Sequence, residues 1–432
     1  MFQKKRIPVF LNLMFLCLAT SANTSCTRAV VQKEPAPPVE KPKADTADTF
    51  LIGIYVAPGQ EYTLDRHYEA IRDAHINLIQ DIAMQDAAQQ KAAMLVMAAR
   101  YGIRVVVADA RVNGSDAAIQ EMVAQYKNYE ATLGYYIKDE PKVRELADAA
   151  LRYQKVLGTG SGWIAHVNLF PSYATGALGA IQYERDYVEK WIQMVGPQNL
   201  KYLSFDNYPF MEKDSLREDL YYHDLDVIRR MGLKYHIKTS AYLQSIGSSI
   251  GLRRPNANEL RYSAFTNLAY GIKLPVWFTY WTPAGGTEQF TPAIVDAKGN
   301  KTDLYEPFKA INAEMKNLGP SLLRLDAVRV FHTGELLPKG TERPPGDFLL
   351  QCSDKKASLI VTEFKEKGSG RVYTMVVNKS LTEAQELAFV LPAGASVAEV
   401  SKTTGGEIKK TLSGGLLRDR FEAGEGRLYR VY

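Results

Sequence analysis

From Phe50 onward the chain alternates short apolar runs with segments of helical spacing, eight times in succession. Residues 51–56, 77–82, 103–108, 134–137, 163–169, 202–206, 235–242 and 276–281 read as strands, being short, apolar and rich in β-branched and aromatic side chains. After each of them a stretch with apolar residues three and four apart predicts a helix, the last over 305–317. Eight such units in roughly 270 residues match a closed (β/α)8 barrel. A doubly wound open sheet is the rival, but no nucleotide fingerprint accompanies it. Gly158-Thr159-Gly160-Ser161-Gly162 precedes a strand instead of joining a strand to a helix. The expected fold class is therefore α/β, a TIM barrel over 49–322. After Gly319-Pro320 short alternating runs at 357–364, 371–378, 386–391 and 424–432, divided by Gly, Pro and Lys turns, predict a small C-terminal antiparallel β-sandwich over 323–432.

In a parallel barrel the C-terminal strand ends form the active face. The fourth strand, Gly134-Tyr135-Tyr136-Ile137, runs into Lys138-Asp139-Glu140-Pro141. Pro141 stops it, lacking a donor for the ladder, and an acid pair at such a place is costly unless it is used. Other strand ends supply Tyr55, Asn168, Tyr173, Asp206, Asn207, Tyr208, Tyr242, Gln244, Tyr280 and Trp281. Carboxylates on separate strands are what glycoside cleavage needs, one to protonate the leaving oxygen and one as nucleophile or base. Aromatic faces stack on the C–H faces of sugar rings, and amides and hydroxyls bind ring hydroxyls. Asp81, Asp109 and Arg111 read as structural, because strand-end carboxylates often cap helices or pair in loops. Tyr136 and Tyr280 read as packing, and His166 as a satisfied interior histidine. The six histidines show no metal spacing, so neither metal nor organic cofactor is expected. Lys138 would depress the Glu140 pKa if it lay close.

Asp139-Glu140-Pro141 is similar to the Asn-Glu-Pro of clan-A glycoside hydrolases, and Trp281 to their substrate-platform tryptophan. Asp296-Ala297-Lys298-Gly299-Asn300 through Tyr305, then Ile311-Asn312-Ala313-Glu314 and Leu318-Gly319-Pro320, resemble the barrel exit of family-42 β-galactosidases. The resemblance covers residues 50–320 and implies Glu140 as the acid/base. There are two departures. Asp139 replaces the asparagine that would touch a sugar 2-hydroxyl, and 238–249 contains no acid where the clan carries its nucleophile, Gln244 lying nearest. Three readings follow: Asp206 is the second carboxylate, as base of an inverting reaction; Asp139 steadies a substrate acetamido group while Glu140 donates the proton; or the barrel only binds glycans. The expectation is a glycoside hydrolase acting on oligo- or polysaccharides. Glu140 and Asp206 would be catalytic, and Asp139, Tyr55, Asn168, Asn207, Tyr208, Tyr242, Gln244 and Trp281 would bind substrate. The alternative is an inactive TIM-barrel glycan-binding lipoprotein, and a weaker one a purely structural envelope protein.

Lys4, Lys5 and Arg6 precede an apolar stretch, 9–19, and then Ser25-Cys26. This is a secretory signal over 1–25, too short to span a membrane. It resembles bacterial lipoprotein signals, which implies lipidation of Cys26, although Asn23 departs from the usual aliphatic residue. Cleavage near Ala22 is the alternative. Residues 26–48, rich in Pro, Lys, Glu and Ala without an aromatic, read as a disordered linker. The expected location is the cell envelope, as an outer-membrane lipoprotein, periplasmic or surface-exposed, touching membrane only through its anchor. Without the leader 50 basic residues face 48 acidic ones, which is no nucleic-acid footprint. Of three cysteines only Cys352 belongs to the folded body, so no internal disulfide is expected.

Overall fold

The computed structural model describes residues 49–432 apart from Ser161, Asp214 and Gly285. The signal, the linker and Cys26 lie outside the described residues. Strands β1 (Gly53–Tyr55), β2 (Leu78–Gln80), β3 (Arg104–Ala108), β4 (Thr132–Asp139), β5 (Ile164–Leu169), β6 (Tyr202–Asp206), β7 (Lys238–Gln244) and β8 (Leu274–Phe278) pair in parallel in chain order, and β8 returns to β1 to close the barrel. Helices α1 (Asp65–Asp73), α2 (Ala88–Arg100), α3 (Asp116–Tyr126), α4 (Leu146–Gly158), α5 (Thr175–Leu178), α6 (Lys190–Val195), α7 (Glu218–Tyr235), α8 (Ala257–Ala269) and α9 (Tyr305–Arg324) fill the connections. Local chemistry marks their starts. Ser115 accepts from the Ala118 N–H at the head of α3, and Asn256 with Glu259 forms a capping box at the head of α8.

Gly134 opens the informative strand for a steric reason. A Cβ there would lie 1.9 Å from the Ile164 carbonyl oxygen, so only glycine lets β4 and β5 approach. Leu78, Val106, Leu133, Ile164, Leu274 and Val276 fill the barrel interior. Tyr55, Tyr136 and Tyr242 join them. Among them Tyr242 donates to Gln80, and His166 lies 3.0 Å from the Tyr242 hydroxyl and 3.4 Å from the Gln80 amide. Burial pushes the His166 pKa down to about 3, so the ring is neutral and structural.

Two expectations need correction. The eighth strand ends at Phe278 instead of running to Trp281, because residues beyond it leave the sheet and pair with the following loop. Trp281 bridges Val295, and the Thr282 N–H donates to the Val295 carbonyl at 2.9 Å. Helix α9 also continues through Gly319 and Pro320 to Arg324. Arg324 Nη1 donates to the Pro320 carbonyl at 2.9 Å in this last turn.

The remaining strands, β9 (Leu325–His332), β10 (Gln351–Cys352), β11 (Leu359–Glu366), β12 (Val372–Asn378), β13 (Gln385–Val390), β14 (Val397–Val400), β15 (Glu407–Lys409), β16 (Leu416–Phe421) and β17 (Gly426–Val431), form two antiparallel sheets. The larger has the order β15-β14-β17-β12-β11-β9 and the smaller β10-β13-β16. Leu359, Val361, Val376, Phe389, Leu417 and Phe421 pack between them. The opposite face of the large sheet, with Ile360, Phe364, Met375, Val377 and Leu428, joins the barrel core. Helix α8 is caught between barrel and sheet, which explains why even Glu259, Ser263, Thr266 and Asn267 are buried.

Candidate active site

The acid pair is aimed by two backbone irregularities. In β4 and β5 Tyr136 pairs with His166, but Lys138 pairs with Val167 and Asp139 with Asn168, so Ile137 is an extra residue. Such a bulge reverses the alternation of side chains beyond it. Asp139 therefore shares the inward face with Asn168, while Lys138 turns out to Glu145, 3.7 Å away. Glu140 then takes a left-handed backbone, φ 42°, a conformation that costs a non-glycine residue about 1 kcal/mol or more. Its N–H donates to the Asn168 carbonyl at 2.9 Å. The Tyr187 hydroxyl braces the turn, donating to the Pro141 carbonyl at 2.7 Å and accepting from the Phe170 N–H at 3.1 Å.

A cleft of about 400 Å³ opens at this end of the barrel, lined by Tyr55, Asp139, Glu140, Asn168, Tyr173, Asp206, Tyr208, Tyr242 and Phe278 among others. That volume suits a small ligand of one or two rings. Tyr55 donates to Asp139 Oδ2 at 3.0 Å and the Asn168 amide to Oδ1 at 3.3 Å. Protein walls push the Asp139 pKa up, and these donors hold it back. The residue is exposed at the cleft mouth, and its charge is the one that bears on Glu140. The Glu140 pKa is pushed up to about 8, first by burial and then by the Asp139 charge. Asp206 is buried, and its Oδ1 has no hydrogen-bond partner among the described residues. Burial, then Glu140 and Asp139, hold its pKa well above the carboxylate range. Glu140 is thus held protonated at neutral pH, and Asp206 is pushed in the same direction by the same neighbours.

Seven of the residues expected at the site line this cleft: Glu140, Asp206, Asp139, Tyr55, Asn168, Tyr208 and Tyr242. Tyr208 stacks on Phe278, centroids 5.0 Å apart, and Tyr242 offers its ring while its hydroxyl points down to Gln80. Three expected residues are elsewhere. Asn207 is buried against α7, donating to Asp224 at 2.8 Å and to the Leu220 carbonyl at 3.1 Å. Gln244, fully buried, accepts from the Phe210 N–H and donates to the Phe210, Ile246 and Arg253 carbonyls, tying the loops after β6 and β7 together. Trp281 packs between Tyr62 and His67, on the wall of a neighbouring groove, because the chain has already left the barrel. Asp81 is held in a buried pair with Lys91 at 2.8 Å, and Asp109 binds Arg111.

Sequence reasoning missed Phe278, Arg217, Glu288 and the apolar Met211, Ile250 and Leu252, all on the cleft. Phe278 was legible as the last residue of a shorter eighth strand. The others lie in loops after β6, β7 and β8, where spacing carries no signal. Among the described residues no group of three His, Cys, Asp or Glu side chains is placed to hold a metal ion, and no helix is long and apolar enough to cross a membrane.

No protein-family model matches the chain, and no curated protein matches it in sequence. Solved structures do match it in shape. The β-galactosidase of Bacillus circulans sp. alkalophilus is 10% identical, with a TM-score of 0.59 over 89% of this chain and 99% of its own. A family-42 β-galactosidase of G. stearothermophilus, crystallised as a catalytic mutant, is 9% identical, with a TM-score of 0.57 over 90% of this chain and 99% of its own. The fold is the one these two β-galactosidases share, a closed (β/α)8 barrel with antiparallel sheets after it. The β-galactosidase of Marinomonas ef1 aligns with 64% of this chain at 10% identity and a TM-score of 0.47, and the chain spans 62% of that enzyme's length. At such identities the likeness is one of architecture.

Proposed function

We propose that the protein is a glycoside hydrolase cleaving O-glycosidic bonds of oligo- or polysaccharides, with Glu140 as general acid and Asp206 as the second carboxylate. The observation that carries this reading is the setting of Glu140: an acid whose pKa of about 8 keeps it protonated at neutral pH, in a cleft that also holds Asp206. Glu140 gives its proton to the glycosidic oxygen as the bond breaks. Each Asp139 oxygen already accepts a hydrogen bond, so this carboxylate serves as a fixed anion that keeps the proton on Glu140 and favours positive charge developing on the sugar ring. Asp206 takes a proton from water on the other side of the ring. It stands two strands from Glu140, about 10 Å of backbone at ordinary strand spacing, which suits the wider separation of an inverting pair.

The pair works with one proton shared between its two members, so the rate should climb around pH 8 as the pair loses its first proton. The test is release of product from a panel of aryl glycosides and polysaccharides by wild type, Glu140→Gln and Asp206→Asn. Loss of at least about 100-fold in both variants is expected. Undiminished turnover by Asp206→Asn, or a rate flat from about pH 7 to about pH 9, would remove Asp206 from the mechanism.

One observation favours a second reading, glycan binding without hydrolysis: the end of β7 carries no carboxylate, and Gln244 there is spent on loop carbonyls. Oligosaccharide binding unaffected by Glu140→Gln, with no bond cleavage by wild type, would establish it. Export and lipidation at Cys26 belong to both readings, and incorporation of labelled palmitate into wild type but not Cys26→Ser tests them.

A further inference from the structure

Arg217 is the only cation among the described residues lining the cleft. It stands just before α7, on the loop that follows Asp206. Its guanidinium carbon lies 3.8 Å from the centroid of the Tyr173 ring. Stacking of that kind leaves the planar edge, with its forked N–H donors, turned away from the ring. The guanidinium makes no hydrogen bond and no ion pair with any described residue. The neighbouring arginines behave otherwise: Arg229 and Arg230 are paired with Asp226, and Arg253 and Arg254 with Glu259 and Asp303.

Arg217 shares the cleft with four carboxyl groups, Asp139, Glu140, Asp206 and Glu288, but the electrostatics do not make it their neutraliser. The proton affinity of Glu140 is set by burial and Asp139, and that of Asp206 chiefly by burial, Glu140 and Asp139, with no leading contribution from Arg217 to either. Its charge is felt by Tyr173 instead. Glu140 and Asp206 are both pushed toward their neutral forms, so the cleft is less hostile to an anion than a count of carboxyl groups suggests. Asp139 is already engaged by Tyr55 and Asn168.

We propose that Arg217, seated on Tyr173, is the specificity-determining residue that binds the carboxylate of an acidic sugar, making a hexuronate the ring held in this cleft. The proposal rests on the glycosidase reading and names its substrate class. A hexuronate carries its glycosidic oxygen and its carboxylate on opposite flanks of one ring. Glu140 after β4 and Arg217 after β6 come from separate loops and can serve the two ends. A guanidinium fork matches a planar carboxylate with two parallel hydrogen bonds, which a neutral hydroxymethyl group cannot return. A sulfated sugar presents the same charge with a different shape.

The test compares matched pairs of nitrophenyl glycosides, α- and β-galacturonide against galactoside and β-glucuronide against glucoside, with galactose 6-sulfate glycosides as a third arm. The readout is the acid-to-neutral ratio of kcat/KM in wild type, Arg217→Met and Arg217→Lys. Binding of galacturonate and glucuronate oligosaccharides and their carboxyl-reduced forms to Glu140→Gln, with and without Arg217→Met, is followed by calorimetry. A ratio favouring the uronate, falling about 10- to 100-fold in Arg217→Met and partly restored in Arg217→Lys, is the expected result. A preference for neutral sugars, or a ratio unmoved by Arg217→Met, overturns the uronate assignment while leaving glycoside hydrolysis standing. Preference for the sulfated arm overturns the carboxylate in favour of sulfate. Neither binding nor cleavage of any member overturns both this proposal and the glycosidase reading.

Discussion

Replacing Asp139 by Asn removes the carboxylate whose charge bears on Glu140 while keeping an oxygen to accept a hydrogen bond. The Glu140 pKa stands at about 8 against an ordinary 4.5, with burial as the larger cause and Asp139 as the second. Carboxylates on neighbouring residues lie about 7 Å apart, and at an effective dielectric near 20 their repulsion is about 2.4 kcal/mol, or about 1.7 pH units. Asp139 opens to cleft water, which screens part of this, so the expected fall is about 1 unit. The Glu140 midpoint should move from about 8 to about 7. Carbon NMR of protein labelled at the glutamate side-chain carboxyl reads this directly, with the Glu140 signal assigned by its loss in Glu140→Gln. A wild-type midpoint near 4.5 would refute the account of burial. A midpoint that does not fall in Asp139→Asn would refute the account of the pair.

Three further outcomes follow from the same structure. Because the folded pKa of Glu140 lies above its unfolded value, the folded chain binds the extra proton between about pH 4.5 and 8, and stability falls as pH rises through that window. Glu140→Gln should therefore gain on the order of 3 kcal/mol over wild type between pH 5 and pH 8.5, read by chemical denaturation at both values; an equal difference at the two would contradict it. Gln244→Ala removes four hydrogen bonds to the loops after β6 and β7 and should cost about 2–4 kcal/mol, while Gln244→Glu sets a carboxylate among three carbonyl oxygens and should destabilise without raising turnover. Gly426→Val places its Cβ about 2.5 Å from the Phe265 ring. It should loosen the sandwich from α8, cost at least about 2 kcal/mol, and expose the joint near Leu325 to limited proteolysis.

The barrel was legible because its cause is local and repeated. Each strand is a short run too apolar for the surface, each helix has one apolar face, and closing eight such units buries both. The acid pair was legible for a related reason: a strand of small and aromatic residues, Gly134 to Ile137, cannot end in two carboxylates and a proline without presenting them. The direction of a side chain past a strand end is different, since it depends on backbone irregularities that residue types do not encode. The bulge at Ile137 exchanges Lys138 for Asp139 on the inner face, and the left-handed turn at Glu140 aims the acid.

Loop geometry decided the rest. Asn207, Gln244 and Trp281 have the chemistry of sugar ligands, and each was taken by an inward structural demand: a buried Asp224, a set of loop carbonyls, and an aromatic nest of Tyr62 and His67. Arg217, Phe278 and Glu288 reached the cleft from positions with no motif. The order of residues thus determined that eight strands close with Asp139 and Glu140 at one mouth, because burial of apolar faces is a property of each segment. Which other side chains share that mouth, and which of its acids keep a proton, only the tertiary structure decided, because proximity and desolvation arise between segments.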